Sequence, residues 1–169
     1  VDQQFSNTSG NISFTTPTPK LNTFVMFDNT MYYTPKAVGR IENQNLHSLP
    51  LSTYLIVTNP AFLNAANDLA DFHRRQDNMT VTVVTTQQVF NEFSSGAQDV
   101  SAIRDFAKMF YDRATNVSEL PKYLLLFGDA SYDNKYRIAA NTNFVTSYQS
   151  AGSINQTQTY ISDDFFALL

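Results

Sequence analysis

The densest apolar run in the chain is Tyr123-Leu124-Leu125-Leu126-Phe127, closed by Gly128 and Asp129. Such a run, ended by a glycine and an acid, predicts a central strand buried on both faces, as in a parallel sheet covered by helices. Upstream, Tyr54-Leu55-Ile56-Val57 predicts one strand and Met79 to Val84 a second, β-branched one. Between them Asn59 is placed to N-cap a helix with Pro60 at its first position. Phe62, Ala66, Leu69, Ala70 and His73 then recur at helical spacing. A short helix is expected from about Gln87 to Phe93, with Gly96 as its terminator. Asp99 can cap the next helix, whose stripe of Ile103, Phe106, Ala107, Phe110, Tyr111 and Ala114 follows the 3.6-residue period. The order β-α-β-α-α-β predicts an α/β fold, a mostly parallel sheet with flanking helices and right-handed crossovers.

The first 50 residues have a different rhythm. Ser, Thr, Asn and Pro dominate, and short alternating runs at Ile12-Ser13-Phe14 and Thr23-Phe24-Val25-Met26-Phe27 predict strands, with Asp28-Asn29 as a turn. Pro35, Gly39 and Pro50 punctuate a connection through Glu42 to His47. The expected organisation is therefore residues 1–50 as the tail of an upstream β-rich region plus a linker, and residues 51–169 as an α/β subdomain. From Asp129 to Tyr160 the chain reads as polar loop. It opens at Val1 without Met and closes on the apolar Phe165-Phe166-Ala167-Leu168-Leu169, as expected of a piece of a longer protein.

Composition narrows the function classes. Hydrophobic residues make up 43% and charged residues 15%, enough apolar material for a packed core. The net charge of −4, with no basic stripe, argues against nucleic acid as a partner. No stretch is long and apolar enough for a membrane-spanning helix, so no membrane insertion by this segment is expected. With 0 Cys there is no disulfide, thiolate metal site or cysteine nucleophile within these residues. The glycines are isolated, at 10, 39, 96, 128 and 152, and form no phosphate loop, so no nucleotide cofactor is expected.

The candidate chemistry lies in acids. Asp129 stands beyond a strand, Asp133 follows, and Asp163-Asp164 stands near the end, after a Tyr160-Ile161 pair that can add a short strand to the sheet. Ligands and catalytic groups of open α/β sheets collect at the carboxyl ends of strands. These four acids are therefore the candidates for lining a substrate cleft or anchoring loops by accepting backbone N–H bonds. Carboxylates gathered there could also hold a structural Ca²⁺, or Mg²⁺, because hard cations take oxygen ligands. His73 falls on the apolar stripe of its helix and reads as packed. His47 lies in the connection and is expected to bond locally.

Four segments carry a resemblance. They are Asn43-Gln44-Asn45-Leu46-His47, the run Phe93 to Phe106 with its Gly-x-x-Asp-x-x-x-Ile-Arg-x-Phe pattern, the run Tyr123 to Asp133, and Ser162-Asp163-Asp164-Phe165-Phe166. In order and spacing they resemble the gingipain-type cysteine peptidase family, over roughly residues 40–169, and within it the cell-surface sortase branch of type IX secretion in Bacteroidetes. The resemblance implies a caspase-like α/β domain in two subdomains, with this chain as the first and with the catalytic His and Cys in the second. No catalytic residue carries over, because no position here matches the family's His-Gly and Cys motifs. It implies no cofactor. The implied partners are the C-terminal half of the same peptidase domain and secreted protein cargo, whose C-terminal signal is removed before attachment to the cell surface. The implied location is the extracellular side of the outer membrane. Two other classes stay open on the residues alone. One is a carboxylate-metal hydrolase of flavodoxin-like fold using Asp129, Asp133 and Asp163. The other is an interaction module that uses an open sheet edge.

Overall fold

A computed structural model describes residues 6–28, 30–37, 39–152, 155 and 157–169. The chain forms two compact units, Val1–Ile41 and Glu42–Leu169.

In the first unit, strands β1 (Ser6–Thr8) and β2 (Asn11–Ser13) form an antiparallel hairpin. Its two-residue turn is Ser9-Gly10, both with positive φ (53° and 82°), which suits the right-handed twist of a tight hairpin. The expected strand at Thr23–Phe27 is absent. Its apolar side chains remain exposed, Val25 at 77% and Met26 at 79%. Alternation produces a strand only where a neighbouring strand supplies hydrogen bonds, and this run has no such partner among the described residues. Asp28 does turn the chain: its carboxylate accepts the Thr30 N–H (2.7 Å) and its carbonyl the Met31 N–H (3.0 Å). Asn29, the other half of that expected turn, lies outside the described residues.

The second unit is a parallel sheet between helices. Its elements are β3 (Tyr54–Thr58), α1 (Leu63–Gln76), β4 (Val81–Thr85), α2 (Thr86–Phe93), α3 (Val100–Arg113) and β5 (Tyr123–Phe127). The strand order is β4-β3-β5, with both pairs parallel. The chain steps from β3 to β4 in one direction and then returns past β3 to β5. With right-handed crossovers, those opposite steps put their helices on opposite faces. Alternation along β3 supplies both faces. Ile56 packs with Ala66 and Ala70 of α1. Leu55 and Val57 pack with Val89 of α2 and with Ile103, Phe106 and Phe110 of α3.

The helix caps act as expected, whereas the expected α3 stripe is shorter: Tyr111 is 46% exposed and Ala114 lies beyond the end of the helix in extended conformation. The Asn59 carboxamide accepts the Ala61 N–H (3.0 Å) ahead of a 3-10 turn, Pro60–Phe62, that leads into α1. Asp99 accepts the Ser101 N–H (2.8 Å) at the start of α3. Gly96, at φ +84°, donates its N–H to the Phe90 carbonyl (2.8 Å) beyond the end of α2. His73 is half-buried, bonds Asp77 (2.6 Å) and meets the Tyr54 ring edge-on at 5.1 Å.

Three further expectations are corrected. The Leu-rich run is not the central strand. Among the described residues β3 is the middle strand, buried from Leu55 to Thr58, while β5 is an edge, with Tyr123 54% exposed and Leu124–Phe127 half-buried. Its apolar run reflects two helix-covered faces but does not reveal which strands pair. Ile161 does not extend this sheet: β7 (Ile161–Ser162) pairs antiparallel with β6 (Tyr148–Gln149) in a separate ribbon. Finally, His47 bonds Glu92 of α2 (2.8 Å), far from it in sequence, and its ring stacks on Phe93 at 4.8 Å. Glu92 also accepts the Leu46 N–H (2.7 and 2.9 Å) and the Gln44 amide (2.8 Å), and Leu46 is buried. This stretch of the connection is thus latched onto α2.

Candidate functional site

With the first strand of the unit central, the topological switch point lies between β3 and β5, and the crevice beyond their carboxyl ends is where such sheets hold ligands. Here a strap from the 129–147 loop occupies it. The Asp129 carbonyl accepts the Phe144 and Val145 N–H groups (2.9 and 3.0 Å). The Asn59 amide donates to the Phe144 carbonyl (3.2 Å), and the Phe144 ring meets Phe62 edge-on at 4.8 Å.

Gly128 makes this close approach possible. At φ +152° it takes a backbone conformation that side chains disfavour, and a Cβ there would lie 3.1 Å from Phe144 Cβ and 3.3 Å from Val145 Cγ1. Gly128→Ala is therefore expected to cost about 2 kcal/mol, within the usual range for backbone strain of this kind. Urea unfolding would measure it, and a change within about 0.5 kcal/mol would mean that the strap gives way freely.

Asp129 and Asp133 both serve the strap. The Asp129 carboxylate accepts the Ala130 N–H (3.1 Å) and the Thr142 hydroxyl (3.2 Å). Asp133 is 8% exposed and accepts the Ile138 N–H (2.7 Å) and the Asn141 amide (2.9 Å). Burial alone would raise the pKa of Asp133. The N–H groups of Ile138, Arg137 and Lys135, with the Asn141 amide, outweigh it and hold the carboxyl below its ordinary range. Asp163 and Asp164 stand elsewhere. Asp163 precedes a 3-10 turn, Asp164–Ala167, makes no side-chain cap there, and lines a separate groove along β5 with Tyr111 and Phe166. That turn is docked by its rings: Phe166 is 2% exposed, Phe165 stacks on Tyr148 at 4.5 Å, and the Arg104 guanidinium sits 4.9 Å from the Phe165 centroid.

The four acids therefore divide into a strap pair and a turn pair. Among the described residues no group of three or more His, Cys, Asp or Glu side chains could hold a metal ion. Sequence reasoning passed over Glu92 and the Asn141-Thr142-Asn143 run. Asn143 accepts the Ser131 N–H (3.1 Å) through Oδ1 and the Tyr136 hydroxyl (2.8 Å) through its carbonyl. Neither site has a periodic signal. Only the density of Asn and Thr in an otherwise irregular stretch marks the second.

A parallel sheet with helices on both faces and structured loops at its carboxyl edge defines an α/β domain of the caspase-like class. The family model for peptidase family C25 matches residues 47–169, and the chain belongs to that family, the gingipain-type cysteine peptidases. Among solved structures it is similar to dimeric latent PorU from Porphyromonas gingivalis, with 38% identity and a TM-score of 0.70 over 83% of this chain. The chain spans only 14% of that protein's chain. No curated protein matches. Among the described residues no helix is long and apolar enough to cross a membrane.

Proposed function

We propose that this chain is the non-catalytic first subdomain of a gingipain-like cysteine endopeptidase and sortase. The whole enzyme removes C-terminal signals from type IX secretion cargo and attaches that cargo to the cell surface, on the extracellular side of the outer membrane. The observation that carries the non-catalytic role is the absence of Cys from all 169 residues of a cysteine peptidase family member. Both histidines already bond a carboxylate, His47 with Glu92 and His73 with Asp77. On this reading residues 51–169 form the subdomain, and residues 1–50 come from an upstream β-rich region. The half-exposed apolar edge of β5 supports the other half of the peptidase domain as a partner, since parallel sheets are normally covered. Asp129 and Asp133 hold the strap, and through it the loops that border the substrate cleft.

The test is activity of the chain by itself. Purified chain is incubated with fluorogenic peptides and with a cargo C-terminal domain, and no turnover above buffer is expected. Turnover that a substitution within this chain abolishes would overturn the proposal.

A further inference from the structure

Beyond the peptidase reading, and independent of it, lies a polar groove of about 340 Å³ at the carboxyl ends of β3 and β4. That is the lower end of the range for small-ligand pockets. Its walls include Asn59, Thr86 and Gln87 at the start of α2, Phe90, and Asn143 and Phe144 of the strap. Among the described residues that line it, none is charged.

Its chemistry is biased toward donors. Thr86 and Gln87 are the first two residues of α2, so their N–H groups have no acceptor within the helix. The capping hydroxyl of Thr85 is taken by the Gln88 N–H (3.2 Å). Asn143 is 4% exposed, and its Nδ2 has no hydrogen-bond partner among the described residues. A buried amide donor without an acceptor calls for an explanation, and a bound acceptor supplies one. The helix N-terminus favours a negative charge over a neutral carbonyl. The lack of any Arg or Lys in the lining disfavours a phosphate, which is usually held by charged forks.

We propose that this groove binds a carboxylate, carried by a peptide C-terminus or by a small free acid, with Phe90 and Phe144 as apolar walls. The test follows backbone and Asn side-chain amide shifts of the 169-residue chain by NMR. The probes are acetate, N-acetyl-glycyl-phenylalanine as the free acid, and the same compound as its C-terminal amide. The free acid is expected to shift Thr86, Gln87 and Asn143, and the amide is not. Acetate competing with the acid would identify a small free carboxylate as sufficient. Acetate failing while the acid binds would identify a peptide end. Either result supports the proposal.

Two variants act on different donors. Asn143→Asp keeps the oxygen that Ser131 uses but replaces the unpaired donor with charge. Thr86→Pro removes one free N–H at the helix position that best accepts proline. Each is expected to weaken acid binding by roughly tenfold or more, with the remaining spectrum native. Should Asn143→Asp fail to fold, Thr86→Pro decides alone. The proposal is overturned if the acid leaves these residues unshifted, if the amide binds as tightly as the acid, or if folded variants bind like the wild type.

Discussion

Phe106→Ala is expected to remove about 3–5 kcal/mol of stability, the usual cost of deleting a buried Phe. Phe106 is 0% exposed and belongs to the main core cluster beneath β3. Its ring meets Phe93 of α2 edge-on at 5.8 Å and Phe110 one turn along α3 at 5.2 Å. Removing it opens a cavity where sheet, α2 and α3 converge, with three rigid neighbours that collapse poorly. Equilibrium unfolding in urea measures the loss. A change under about 1 kcal/mol would mean that the α2–α3 layer repacks and is not a jigsaw core.

Glu92→Ala is expected to cost about 3 kcal/mol, since hydrogen bonds to a charged group contribute roughly 1.5–3 kcal/mol each and Leu46 would lose its N–H acceptor. Burial alone would raise the Glu92 pKa. The Leu46 N–H, the Gln44 amide and the His47 ring outweigh it and hold the carboxyl below its ordinary range. A carboxyl whose folded pKa is the lower one adds stability above its unfolded pKa. That increment is lost as pH falls through the folded value. Asp133, shifted in the same direction, adds to the same acid-side loss. Glu92→Gln should therefore flatten the fall in stability between neutral pH and about pH 3. A slope equal to that of the wild type would remove the charge of Glu92 from the latch.

These sites show what was legible in the chain. The helix stripes, the Asn59 and Asp99 caps and the three parallel strands follow from periodicity and local hydrogen bonding, both of which are written over a few neighbouring residues. The edge position of the Tyr123–Phe127 strand was not legible, because an apolar run reports covered faces and says nothing about lateral pairing. The same limit applies to Ile161, whose two-residue strand joins a ribbon set by loop geometry. Glu92 and Asn143 were missed for a related reason. Each acts through partners brought by folding, Glu92 on residues 44–47 and Asn143 on Ser131 and Tyr136. The acids after the Leu-rich strand were legible as candidates because Gly128 marks where that strand must stop. Their division into two separate pairs depends on where β7 goes.

The central position of β3 also shapes the order of assembly. Its contact with the start of β4 closes a loop of 27 residues, and its contact with the end of β5 closes one of 69. Closure entropy rises with loop length, so the shorter pairing has the earlier opportunity and the longer one the slower search. Until β5 arrives, β3 keeps one bare flank of Leu, Ile and Val backbone, open to any extended segment that reaches it. A chain held in that interval can mispair with other extended segments. The speed of the β3–β5 encounter then governs how much of it ends in the native sheet.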